Sequence, residues 1–280
     1  AEREAGELIR EPEAGEEPCI YLKPLFLAEV GVARTLKSLA EGGHPLPTVD
    51  LPAVLALRNS LLRSEGYVGV SERSADVTGD SNAELIVVAR PRDCANPCTD
   101  RQVLVLSDDQ RYWQFPGLDN AELATISLSP PGFEVLQPLD LGGDQSTTGR
   151  VTFYRWTGSE FAVNGVYFEA LDVADLGPED VVRRFYGSVG KDGLLRAYAL
   201  LSRAYQQRHP FESWAAGFAD DTTVRIDKLE VQGKNVVAVA FTTLNADAGA
   251  SAGKKFAGVW HMIDTRNGWR LDAGDIEAAD

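Results

Sequence analysis

Residues 194–218 read LLRAYALLSRAYQQRHPFESWAAGF, and the fold class turns on whether this stretch is helical. Leu194, Ala197, Tyr198, Leu201, Ala204 and Tyr205 recur at i, i+3, i+4, i+7 spacing, the stripe of an amphipathic helix. Pro210 suits a first helical position, and Phe211, Trp214 and Phe218 repeat the stripe beyond it. Just upstream, Pro178 is followed by Glu179 and Asp180, acids that favour the positive end of a helix, and by an apolar row of Val181, Phe185 and Val189. After Asp220 and Asp221 the period changes to two. Strands are expected at 222–231, 235–244, 255–264 and 269–273, with Gln232-Gly233 and Asn267-Gly268 turning between close neighbours. Three helices followed by an antiparallel meander predict an α+β domain over 176–280.

Working toward the N-terminus, "VADLGPED" at 173–180 is the natural boundary. Between Tyr67 and Ala170 the chain is a series of short apolar runs separated by turn residues. The clearest pair is Val151–Trp156 and Phe161–Phe168, which flank "TGSE" as a hairpin would. "LFLAEVGVARTLKSLAEGG" (25–43) and "PAVLALRNSLLRSEG" (52–66) read as two helices, each closed by glycine. Residues 18–172 are therefore expected to form an antiparallel β-rich domain with leading helices. Residues 1–17 carry seven Glu and two Arg. They read as a solvated, disordered acidic leader.

Composition limits function. The chain has 280 residues and a net charge of −15, which argues against nucleic acid or an anionic membrane as partner, since both require a basic face. No apolar run approaches the ~20 residues that cross a bilayer as a helix. Of the three cysteines, Cys94 and Cys98 in "RDCANPCTD" are candidates for a disulfide across a loop in an oxidising compartment. Cys19 is then left over, or takes a partner instead. The acidic leader resembles the tethers that separate an envelope anchor from a folded domain. A frayed terminus explains such a segment as well; the expectation of an exported, extracytoplasmic protein, secreted or held at the envelope by a lipid anchor, rests on the family resemblances that follow.

Two resemblances bear on this. "VVRRFYGSV" (181–189), "AYALLSRAYQQRHPFESWAAGF" (197–218) and "GVWHMIDTRNGWRLDAGDI" (258–276) resemble the NTF2-like (cystatin-like cone) superfamily, above all its bacterial lipoprotein and exported members. The resemblance implies helices packed in a curved antiparallel sheet. It also implies either a pocket for an isomerase or hydrolase, or a surface that only binds or dimerises. "DVTGDSNAE" (76–84) resembles the acidic loops of FG-GAP and VCBS-type β repeats, which implies a calcium site at the cell exterior.

The residues of that loop permit two readings. Asp76, Asp80, Asn82 and Glu84 place oxygens at alternate positions, as a calcium loop does. Thr78 stands where an acid is usual, and Ser81 where glycine is. The same acids can equally bond nearby backbone N–H groups and hold a hairpin turn. For catalysis the candidates are Tyr198, His209, Asp220 and His261, with Tyr205, Asp221, Asp227 and Trp260 beside them. None has local motif spacing. There is no G-x-S-x-G, no P-loop and no G-x-G-x-x-G. The sequence thus points to a non-catalytic binding or scaffold protein of the bacterial envelope with no cofactor beyond a calcium ion. Its partner is expected to be a small apolar ligand, an envelope glycan or a protein, a homodimer through the curved sheet included. The alternative is an enzyme with its site in the C-terminal cone. A cone filled by Phe185, Tyr198, Trp214 and Trp260 would favour the first.

Overall fold

The computed structural model describes residues 51–95, 98–141, 147–190, 193–218, 222–245 and 253–279, together with two strands at 8–10 and 20–22. The chain divides into two compact units, Ala1–Thr48 and Val49–Asp280. In the first, β1 (Leu8–Arg10) pairs antiparallel with β2 (Ile20–Leu22), Leu8 opposite Leu22. β1 lies inside the stretch expected to be a leader. The helix expected at 25–43 and Cys19 fall outside the described residues.

The second unit opens with α1 (Leu51–Ser64). Three four-stranded antiparallel sheets follow. The first has the order β3 (Tyr67–Ala75), β4 (Glu84–Pro91), β5 (Gln102–Leu106), β6 (Tyr112–Phe115). The second runs β10 (Phe161–Ala170), β9 (Thr148–Trp156), β8 (Pro131–Leu139), β7 (Glu122–Leu128). Both are simple meanders, because each connection is short enough only to return the chain beside itself.

The apolar runs of β4 and β5 explain the layering. "LIVVA" and "VLVL" do not alternate with polar residues, so both faces must be covered. One face, Leu85, Val87, Ala89, Leu104 and Leu106, packs on Val54 and Leu62 of α1. The other, Ile86, Val88, Val103 and Val105, packs on Leu123, Phe133 and Val135 of the second sheet. The rings of Phe115, Phe133, Tyr154 and Phe161 fill that interface, with centroids 4.7 to 6.2 Å apart. Cys94 and Cys98, in the β4–β5 connection, are joined by a disulfide with their Cα atoms 5.5 Å apart.

Four short helices separate the second sheet from the third: α2 (Pro178–Ser188), α3 (Leu194–Tyr198), α4 (Arg203–Arg208) and α5 (Phe211–Ala215). The third sheet is β11 (Thr222–Val231), β12 (Val236–Asn245), β13 (Lys254–Thr265) and β14 (Gly268–Ala279), in that order. Val181, Val182, Phe185 and Tyr186 of α2 pack on Val237, Val239, Phe241, Trp260 and Met262 of this sheet.

The expected α+β class is corrected by these elements. Twelve strands in three antiparallel sheets dominate the unit, and the five described helices are short; the fold is β-rich. The error traces to residues 194–206. The helical stripe is there, but Ala197, Tyr198, Ala199, Leu200 and Leu201 are all buried, each at 3% exposure or less. Five consecutive buried residues need protein on every side, which a helix lying on a sheet does not provide. The chain instead leaves the α-helix after Tyr198 in a tight turn, Leu200 N–H donating to Ala197 O and Leu201 N–H to Tyr198 O (3.0 Å each), and is held between two sheets. Ala170 N–H of β10 donates to Ala199 O (3.1 Å), while Leu200 O accepts from Leu271 N–H (3.0 Å) and Ser202 N–H donates to Leu271 O (2.7 Å). Leu201 forms a parallel bridge to Leu271. Residues 199–202 thus splice β10 to β14.

Candidate functional site

That splice sets the geometry of a cleft. Ser202 caps α4, its hydroxyl accepting from Tyr205 N–H (3.0 Å) and donating to Asp272 Oδ1 (2.5 Å). Losing a serine cap of this kind costs ~1 kcal/mol. The next residue, Arg203, is thereby aimed between β8 and β10. Its Nε and Nη2 donate to Glu169 Oε1 at 2.9 and 2.6 Å. Nη2 also reaches Glu134 Oε2 at 3.1 Å, and Nη1 donates to Glu134 Oε1. The guanidinium carbon lies 5.2 Å from the centre of the Tyr167 ring, whose hydroxyl accepts from Gln207 Nε2 (2.7 Å). Burial alone would depress the Arg203 guanidinium; the hydrogen bonds and charges of Glu134 and Glu169 outweigh it and hold the group above its ordinary range.

This clamp lines a cleft of about 470 Å3. One wall is β7 and β8, with Ile126, Ser127 and Glu134; the other is the β13–β14 hairpin and the start of α4. The hairpin loop is two residues, Arg266 and Asn267, since Thr265 pairs with Gly268. Gly268 has φ +93°, and a Cβ there would lie 2.5 Å from Val173 O, so only glycine closes this turn. Asn267 Nδ2 donates to Glu169 Oε2 (3.2 Å), and Arg266 Nη2 donates to Ala124 O (3.3 Å), so the loop joins the clamp to β7. Arg270, only 5% exposed, completes the wall and donates to Trp269 O (2.8 Å) and Ala170 O (3.1 Å). Burial lowers its basicity, with Glu169 opposing and Arg203 reinforcing the effect.

The residues singled out in the sequence lie elsewhere. Asp76, Asp80, Asn82 and Glu84 form the turn between β3 and β4. Asp76 accepts from Gly79 N–H (2.6 Å) and Ser81 N–H (3.0 Å), and Asp80 from Asn82 N–H (2.8 Å). Glu84 accepts from Val77 N–H (2.9 Å) and the Thr78 hydroxyl (3.1 Å). These carboxylates are engaged by the loop's own donors, the Asx-turn arrangement. Among the described residues, no group of three or more His, Cys, Asp or Glu is placed to hold a metal ion.

The catalytic candidates do not converge. Tyr198 donates its hydroxyl to two carbonyls, His209 O (2.7 Å) and Gln206 O (3.2 Å), and burial pushes its pKa up to about 12, with Glu212 and Tyr205 adding to the effect. His209 is an exposed residue at the end of α4, its ring 4.6 Å from that of Tyr205. His261 is exposed on β13, opposite Val236 and Ala273. Asp227 is held by Thr242 Oγ1 (2.5 Å) and Arg225 Nε (3.0 Å). Asp220 and Asp221 lie outside the described residues. Phe185, Tyr198 and Trp260 are buried, and Trp214 packs against them at ring distances of 5.2 Å to Tyr198 and 6.3 Å to Phe185.

Sequence reasoning missed Arg203, Glu134, Glu169 and Arg270. They come from distant parts of the chain, so no local motif joins them. The available signal was a charge inside an apolar run: Glu134 in "FEVL", Glu169 in "YFEAL" and Arg270 in "WRL". No family model matches the chain, and no curated protein matches it.

Proposed function

We propose that this is a non-catalytic binding protein of the bacterial cell exterior, which takes its ligand in the cleft between the second sheet and the β13–β14 hairpin. The observation that carries the reading is the Arg203 clamp. Four hydrogen bonds to two carboxylates from different strands fix the cleft floor, and a rigid, pre-formed concave site is what small-ligand binding requires. Two further facts support binding over catalysis. The Tyr198 hydroxyl is held by two carbonyls, and the aromatic side chains that would line a cone pocket pack on one another. Compartment rests on the two sequence resemblances and on the Cys94–Cys98 disulfide, which persists in oxidising surroundings. No described helix is long and apolar enough to cross a membrane. The test is a paired assay: a small-molecule panel read by thermal shift, and ester, epoxide and ketosteroid substrates read for turnover. Saturable binding without turnover is expected. Turnover that vanishes when Glu134 or Glu169 is replaced by its amide would overturn the reading.

A further inference from the structure

Charge in the cleft is unevenly answered. Arg203, Arg266 and Arg270 line it against Glu134 and Glu169, so three cations meet two anions in a chain whose net charge is −15. Arg203 takes both carboxylates. Arg270 is left with two neutral carbonyls as acceptors, so two of its five N–H groups are engaged, and it forms no ion pair among the described residues. Arg266 has one carbonyl and likewise no ion pair among them. Arg270 feels the Glu169 charge, but that carboxylate is bonded to Arg203; a guanidinium this buried with no carboxylate of its own is incompletely compensated, and an anion brought beside it relieves that cost. Around these groups the lining is apolar: Ile126, Phe168, Leu201 and Ile263, the last paired directly with Arg270 across β13 and β14. Ile263 is left 39% exposed in the free protein, large for an isoleucine beside a cleft.

Resting on the reading of the cleft as the ligand site, we infer that its ligand is a small organic monoanion. Its acidic head group pairs with Arg266 and Arg270, and its apolar body lies along Ile126, Phe168, Leu201 and Ile263. A monoanion fits because one positive charge is in excess, whereas a polyphosphate would meet Glu134 and Glu169 and be repelled. A wholly apolar molecule would leave Arg270 as buried as before and still unpaired. The planar fork of each arginine suits the two oxygens of a carboxylate or sulfonate.

The inference can be read with two probes of matched shape: anilinonaphthalene sulfonate, which carries one negative charge, and its neutral parent, phenylnaphthylamine. Fluorescence titration of the full chain should show saturable binding of the sulfonate, about tenfold tighter than the neutral probe. Arg266→Gln, on an exposed turn, should weaken the sulfonate about tenfold, or ~1.4 kcal/mol, and leave the neutral probe unchanged. Arg270→Lys should retain part of the affinity, and its fold is checked by circular dichroism. Equal affinities for the two probes, with no effect of Arg266→Gln, would overturn the acidic head group while leaving the cleft as a binding site. If Ser127→Trp, which fills the cleft from β7, leaves both probes bound as before, the cleft reading itself falls. Absence of saturable sulfonate binding overturns the inference as well.

Discussion

Replacing Glu84 decides what the acidic loop at 76–84 is for. Glu84 is 1% exposed, and its two oxygens accept from Val77 N–H and the Thr78 hydroxyl. Burial raises its pKa above the usual carboxylate range; the two hydrogen bonds oppose this without cancelling it, and the charges of Asp80 and Asp76 raise it further. The folded state therefore holds the Glu84 proton more tightly than the unfolded chain does. The stability this confers is fully present below the unfolded pKa and is lost as pH rises through the folded one, each tenfold difference in proton affinity between the two states being worth about 1.4 kcal/mol. Above the folded pKa the fold carries a buried carboxylate. Glu84→Gln removes that charge and keeps both contacts, since the amide oxygen accepts from Val77 and the amide nitrogen donates to a reoriented Thr78 hydroxyl. Glu84→Ala leaves the fully buried Val77 N–H unpaired, a loss of about 1–3 kcal/mol with a further cost for the emptied volume. Thermal unfolding at pH 7 should place the Gln variant at or above wild type and the Ala variant roughly 5–10 °C below it, at ~2–4 °C per kcal/mol for a unit of this size. As pH rises through the raised folded pKa of Glu84, the wild type should lose stability relative to the Gln variant. If Gln is as damaging as Ala at pH 7, the negative charge itself is stabilising. The carboxylate would then have a cationic partner, and repeating the melts in calcium and in chelator would identify it.

Other outcomes follow from the same structure. Arg203→Met should destabilise the unit by about 1–3 kcal/mol, below the figure for a fully buried pair because the Arg203 side chain is 41% exposed and water screens it; a melt identical to wild type would show that the clamp does not hold the fold together. Arg203→Lys should recover only part of that loss, since an ammonium cannot reproduce four bonds to two carboxylates. Ser202→Ala should cost ~1 kcal/mol or more in denaturant midpoint and weaken any cleft ligand, because the cap sets where Arg203 points; unchanged affinity would uncouple α4 from the site. Asp76→Ala, which releases the Gly79 and Ser81 N–H groups of an exposed turn, should cost about 1–2 kcal/mol equally with calcium or chelator. A cost seen only with calcium present would restore the metal reading.

The sequence was most readable where one rule acted alone. The four strands expected between 222 and 273 correspond to β11–β14, and β14 simply runs further, to Ala279. Helix α2 begins at Pro178, where proline and two acids coincide. Periodicity failed at 199–202 because it reports which residues are apolar, not how many neighbours surround them. Leu201 satisfies the helical stripe and the turn that splices the two sheets equally well, and tertiary hydrogen bonds to β10 and β14 decide between them. The site was illegible for a related reason. Glu134, Glu169, Arg203 and Arg270 each look like an isolated charge in its own segment, and only the closed topology makes them neighbours.

The same splice explains why the cleft lies where it does. A continuous helix over 194–206 would satisfy its own backbone and leave β10 and β14 as separate free edges. Ending it at Tyr198 keeps the N–H groups of Ala199, Leu200 and Leu201 bonded within the turn but frees Ala199 O, Leu200 O and Ser202 N–H, which the chain satisfies on β10 and β14. The two sheets are thereby held at a fixed separation, with Arg203 of the restarting helix bonded to Glu169 of one and Arg270 of the other reaching Ala170 O on the same strand as Glu169. Charges placed on those walls are pre-organised before any ligand arrives, which lowers the entropy cost of binding. A change that lets residues 199–202 become helical, such as Ser202→Ala combined with Leu200→Ala, should therefore reduce ligand affinity by more than either substitution alone. Strict additivity of the two in a double-mutant cycle would show that the splice and the cleft are independent.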